Sequence, residues 1–101
     1  AENILKISDL ALDVDRRTVN RAGKTINLTA KEFALLEYFL RNPKKVISRA
    51  ELARNIWKID FDTGTNMVEV YVNYLRKKVD KDFEPKLIHT QFGMGYILKN
   101  D

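Results

Sequence analysis

Cysteine is absent from the 101 residues, which removes disulfides and thiolate metal sites and leaves packing as the source of stability. Histidine occurs once, at His89. A nucleophile–base pair would therefore have to be built from Ser or Lys with a carboxylate, and no spacing singles one out. No apolar run approaches the ~18 residues of a membrane span, and no basic-then-apolar leader opens the chain, so a soluble cytoplasmic protein is expected with no membrane partner. Glycine and proline are scarce, at four and two, and there are no linkers, repeats or low-complexity tracts. The length suits one domain, 1–101.

What is present is an ordinary globular mixture. A hydrophobic share of 45% against a charged share of 32% excludes disorder. A formal charge of +4 favours polyanionic partners through the summed field, without bearing on fold.

The apolar period changes twice along the chain. Over residues 4–28 it is two: "ILKI", "LALDV", "RTVNR" and "TINL" alternate, with Leu10, Leu12 and Val14 on one face. "DVDRR" and "RAGK" supply turns, the tightest at Ala22 and Gly23. This predicts a four-stranded antiparallel meander. From Thr29 the period is helical. Thr29 and Glu32 stand at capping-box spacing, Phe33, Leu36 and Leu40 follow in register, and Asn42–Pro43 stops the run. Ser48 and Glu51 repeat the box before Leu52 and Ile56. Helices are expected over about 29–41, 48–57 and 65–80. After Asp82 the pattern turns extended, with arms at 87–90 and 96–98 and Gly93 and Gly95 as turn glycines, giving a hairpin over about 87–98.

Other chemistry fails on position. Asp60, Asp62 and Gly64 resemble the start of a calcium loop, but its glycine and its bidentate glutamate would fall at Thr65 and Tyr71. Gly93 and Gly95 lack the strand-to-helix switch and third glycine of a phosphate loop. Trp57 reads as near-core packing, and His89 as an ordinary, partly packed side chain. No metal, cofactor or enzymatic activity is expected.

Recognition remains. In "TNMVEVYVNYLRKKVD", Val68, Val72, Leu75 and Val79 share one helical face, leaving Asn66, Val70, Asn73, Tyr74 and Lys77 outside with Arg76 on the flank. Water is the bland partner for such a face. Two short helices followed by a hairpin are also the parts of a winged helix-turn-helix, whose last helix fits the major groove of DNA. There Asn73 could read adenine, Glu69 could accept from cytosine, Val70 and Tyr74 could pack on a thymine methyl, and Arg76, Lys77 and Lys78 could meet phosphates.

With those elements placed, "LTAKEFALLEYFLRNPKKVISRAELARNIW", "TGTNMVEVYVNYLRKKVD" and "KLIHTQFGMGYIL" closely resemble the C-terminal effector domain of OmpR/PhoB-type two-component response regulators, over essentially the whole chain. The resemblance implies an α+β winged helix-turn-helix: an N-terminal four-stranded antiparallel sheet, three helices and a C-terminal β-hairpin wing. It implies transcriptional regulation by binding of double-stranded DNA, with the third helix in the major groove and the wing near the minor groove. Asn66, Glu69, Asn73, Tyr74 and Arg76 would be helix contacts, and Thr90 a phosphate contact leading into the wing. Asp60, Phe61, Asp62, Thr63 and Gly64 would form a loop facing RNA polymerase. Such domains bind as tandem pairs on direct repeats, under control of an attached receiver domain that would lie outside these residues. Many relatives carry arginines where this chain has Asn73, Tyr74 and, at the wing tip, Phe92. Phe92 could pack under the wing or lean on a sugar surface. The rival from another class is a winged-helix module that holds a protein with the same face, favoured by the reduced arginine count.

Overall fold

The computed structural model describes residues 3–59 and 66–100. Strands β1 (Ile4–Ile7), β2 (Leu10–Asp13), β3 (Thr18–Arg21) and β4 (Lys24–Ile26) form an antiparallel sheet in chain order. Helices α1 (Ala30–Arg41), α2 (Arg49–Ile56) and α3 (Met67–Val79) follow, and β5 (Ile88–Gln91) with β6 (Gly95–Leu98) closes the chain as a hairpin. This is the α+β winged helix-turn-helix architecture expected above. Residues 60–64, assigned to the polymerase-facing loop, lie outside the described residues.

Local chemistry accounts for the element ends. Ala22 and Gly23 both have positive φ, 54° and 80°, and join paired Arg21 and Lys24. That is the φ signature of the two-residue hairpin turn whose twist matches its strands. At α1 the full capping box forms: Thr29 Oγ1 accepts from the Glu32 amide, and the Glu32 carboxylate accepts from the Thr29 amide. At α2 only half of it forms. Ser48 Oγ accepts from the Glu51 amide, but the Glu51 carboxylate accepts from the Tyr38 hydroxyl of α1 at 2.5 Å. The expected reciprocal box is thus replaced by a tie between helices. Asn66 precedes α3 in the left-handed region, with no side-chain cap bond.

One core is shared by every layer. Leu10, Leu12 and Val19 face in from the sheet, and Phe33, Leu36 and Phe39 from α1. Leu52 and Ile56 of α2 meet the expected α3 stripe, in which Val68, Val72, Leu75 and Val79 are all fully buried. Leu87, Ile88, Tyr96 and Leu98 complete it from the hairpin. Ile47, two residues before α2, adds a further rung: it exchanges both backbone hydrogen bonds with Tyr96, at 2.8 and 2.9 Å. Gly95 is therefore not only a turn residue, as the sequence suggested. It sits in β6 at φ 140°, where a Cβ would lie 2.1 Å from the Ile47 carbonyl oxygen.

Two charged clusters lock the layers. Arg21 occupies an inward position of β3 and is fully buried. Its Nε donates to Asp9 at 2.8 Å, and its Nη1 to the Val79 carbonyl at 2.6 Å and to Asp80 at 2.9 Å. Its Nη2 donates to the Pro85 carbonyl. Asp80 also accepts from the Leu87 and Ile88 amides at 2.9–3.1 Å. The sheet, the end of α3 and the start of β5 thus meet on one ion pair.

The second cluster is Glu32 with Lys78 of α3, at 2.6 Å. Burial pushes the Glu32 carboxyl up, but hydrogen bonds from Lys78 and Thr29 and the Lys78 charge outweigh it, holding the group below its ordinary 4.5. A carboxyl lowered on folding stabilises the fold fully above that ordinary value, and loses the contribution as pH falls through its folded value. Glu32→Gln, which can keep the box, is therefore expected to lower the urea midpoint at pH 7 and to converge with the parent as pH drops below 4.5. A difference constant with pH would show that charge pairing is not its source.

Candidate nucleic-acid interface

Burying one stripe of α3 leaves the opposite face outward. Asn66, Glu69, Val70, Asn73, Tyr74 and Lys77 are all exposed, as their spacing required, and Arg76 is half-buried on the flank. Tyr74 stands edge-to-face with Tyr71, centroids 5.7 Å apart, and Tyr71 likewise with Trp57 at 5.2 Å. This aromatic chain runs from the end of α2 to the outer face of α3 and steadies Tyr74 where it stands. Trp57 is half-buried in it, the near-core role read from sequence.

Arg76 joins the helix to the wing. Its Nη1 donates to Thr90 Oγ1 at 2.7 Å, its Nη2 donates to Asn73 Oδ1 at 2.6 Å, and its guanidinium lies 5.8 Å from the centre of the Tyr96 ring. The sequence grouped Arg76, Lys77 and Lys78 as phosphate contacts. In the structure Lys78 turns inward to Glu32, because a buried carboxylate needs a partner. Arg76 is spent partly on Thr90 and Asn73. Lys77 and Lys81 have no partner among the described residues, and they share a recess of about 410 Å³ with Asn73, Arg76, Asp80, Lys86 and Ile88. Four cations against one carboxylate make that recess electropositive. Lys86 there also donates to the Asp80, Lys81 and Phe83 carbonyls, covering the negative end of α3.

Between the start of α2, the outer face of α3 and the wing lies a cleft of about 460 Å³. Ser48, Arg49, Glu69, Thr90 and the hairpin tip line it, so one opening collects residues of all three elements. Ser48 and Arg49 escaped the sequence reading because the first was accounted for as a cap. Phe92 is 91% exposed at the tip, which excludes packing under the wing. Met94, which the sequence reading passed over, is also exposed. His89 is half-buried in β5, and its buried Nε2 has no hydrogen-bond partner among the described residues. No group of three or more His, Cys, Asp or Glu among the described residues could hold a metal ion, and no helix there is long and apolar enough to cross a membrane.

Residues 23–98 match the family described as transcriptional regulatory protein, C terminal. The chain is 48% identical over 95 residues to the response regulator MprA of Mycobacterium tuberculosis, a match covering 94% of this chain and 41% of that one. It is 47% identical over 98 residues to the transcriptional regulatory protein CusR of Escherichia coli, covering 97% and 43%. The chain therefore spans less than half the length of these relatives. Its fold superposes on the crystal structure of the Klebsiella pneumoniae RstA DNA-binding domain in complex with RstA box. The TM-score is 0.88 at 25% identity, over 98% of this chain and 99% of that one.

Proposed function

The chain belongs to the family of C-terminal effector domains of OmpR/PhoB-type response regulators, and from that membership we propose that it binds double-stranded DNA in a sequence-specific way to regulate transcription. In this reading α3 lies in a major groove and the β5–β6 wing beside the neighbouring minor groove. The observation that carries it is one continuous surface: the outer face of α3, the cleft to the wing and the electropositive recess at the end of α3. Positive charge there supplies sequence-independent attraction to phosphates, and the polar and aromatic face supplies base contact.

The contacts follow from the partners. Lys77 and Lys81 are placed for phosphates, and Thr90 approaches the backbone while holding Arg76. Glu69 and Asn66 face base edges near the start of α3, with Val70 and Tyr74 offering apolar surface to a thymine methyl. Asn73 Oδ1 already accepts from Arg76, which aims the amide, and its second lone pair and its amide hydrogens remain for paired reading of adenine.

Around this core we place the chain in the cytoplasm, attached to a receiver domain, binding as a tandem pair on direct repeats. RNA polymerase is a further partner, through residues 60–64.

The test is equilibrium binding to duplexes selected from a random pool. With about four to six phosphates neutralised, log affinity should fall with log salt at a slope of about −4 to −5. Asn73→Ala should relax base preference at one position, at a cost of about 1 to 3 kcal/mol, while Lys77→Ala should weaken all sequences alike and flatten the slope by about 1. A slope near zero for the parent would sink the reading and return the face to the rival, a protein-binding module.

A further inference from the structure

Among the described residues, four large apolar side chains stand in solvent: Val70, Tyr74, Phe92 and Met94. All four belong to the outer face of α3 or to the wing tip. Single exposed apolar residues need no explanation, but an apolar group confined to one face does. Phe92 is the extreme, at 91% exposure, with Met94 at 62% on the other side of Gly93. Neither serves the chain's own core.

The tip is narrow and firmly based. Gly93 takes φ 77°, and the Met94 amide closes the turn on the Gln91 carbonyl at 2.9 Å. Below it, Tyr96 is paired with Ile47, Gly95 abuts the same carbonyl, and Thr90 is held by Arg76. A push on the tip is therefore resisted by α3 and the start of α2. The five residues 91–95 (Gln91, Phe92, Gly93, Met94, Gly95) carry no charge, so the tip cannot read a narrow minor groove as an inserted cation does. Large apolar side chains on a narrow support can instead enter the minor groove, which is only about 6 Å wide, and press between base steps.

We infer that the wing tip is an apolar wedge: Phe92, backed by Met94, presses into the minor groove and partly unstacks one base step beside the site read by α3. This rests on the proposed DNA binding and names how its second contact works. Unstacking costs least at pyrimidine–purine steps, so the selected sites carry such a step at a fixed distance from the α3 half-site. Apolar contact displaces no counterions, so the wedge adds affinity without steepening the salt dependence.

The experiment uses the duplex the chain itself retains from a random pool, with 2-aminopurine at the flexible step. Phe92→Ala is expected to lower affinity about tenfold at both low and high salt, with the slope unchanged. It should also abolish the rise in 2-aminopurine emission that the parent produces, and Phe92→Leu should keep part of both. Because Phe92 is solvent-exposed, thermal unfolding of both variants should match the parent. If the parent binds steeply with salt but Phe92→Ala equals it in affinity and emission, the wedge is wrong and the DNA reading stands. A Phe92→Ala loss that appears only at low salt also overturns the wedge. If the parent retains no duplex at low salt, the DNA reading fails first.

Discussion

Replacing Asp80 with alanine is expected to destabilise the chain by about 3–5 kcal/mol, the usual cost of breaking a buried ion pair by removing one partner. Asp80 is buried and answers three donors: Arg21 Nη1 and the amides of Leu87 and Ile88. Its loss leaves a fully buried guanidinium short of one anion and two backbone amides without acceptors. For a domain of this size, whose whole stability is about 5–15 kcal/mol, that is a large fraction. The comparison is Asp9→Ala. Asp9 binds the same guanidinium, but its side chain is 36% exposed, so its removal should cost no more than about 1 kcal/mol. Urea denaturation at pH 7 measures both. Equal midpoints for the two variants would show that the cluster does not hold the sheet to α3.

Gly95→Ala is expected to cost about 3 kcal/mol or more, from two sources. At φ 140° an alanine is strained whatever the space around it, by about 1–3 kcal/mol. Its Cβ would also stand 2.1 Å from the Ile47 oxygen, 2.7 Å from the Ile47 carbonyl carbon and 2.9 Å from Ser48 Cα. All three are backbone atoms, so no rotamer change relieves the contact, and forced overpacking adds about 1–3 kcal/mol. The cheaper escape is to lose the Ile47–Tyr96 rung. Native-state amide exchange should therefore quicken at Ile47 and Tyr96 more than in the first sheet. Gly23→Ala is the control: φ is 80°, but nothing lies within 4 Å of the added carbon, and a single left-handed residue costs about 1–2 kcal/mol. A Gly95→Ala midpoint equal to that of Gly23→Ala would mean that the close approach carries no energy.

How far the sequence could be read follows the range of the interactions. The α3 stripe, the Thr29 cap and the Ala22–Gly23 turn are legible because their partners lie within four residues, where periodicity and spacing report them. Arg21 is not. Its alternation with Val19 puts it inward, yet its charge argues outward, and its anion, just past the end of α3, is 59 residues away. The same distance problem hides Lys78 with Glu32, Glu51 with Tyr38 and Gly95 with Ile47. At the interface, the outward residues of α3 were legible from helical phase. That Arg76 was already committed to Thr90 was not, since the hydroxyl comes from the next element, 14 residues on, beyond the reach of helical spacing.

That commitment decides how such a surface can be altered. Arg76 holds Asn73 on its own helix and Thr90 on the hairpin with a single guanidinium, so a substitution at Arg76 releases both of the others at once. Grafting new outward residues onto α3 would shift the hairpin as well unless Arg76 and Thr90 travel together. The smallest part that can be exchanged between such domains is the helix with its hairpin.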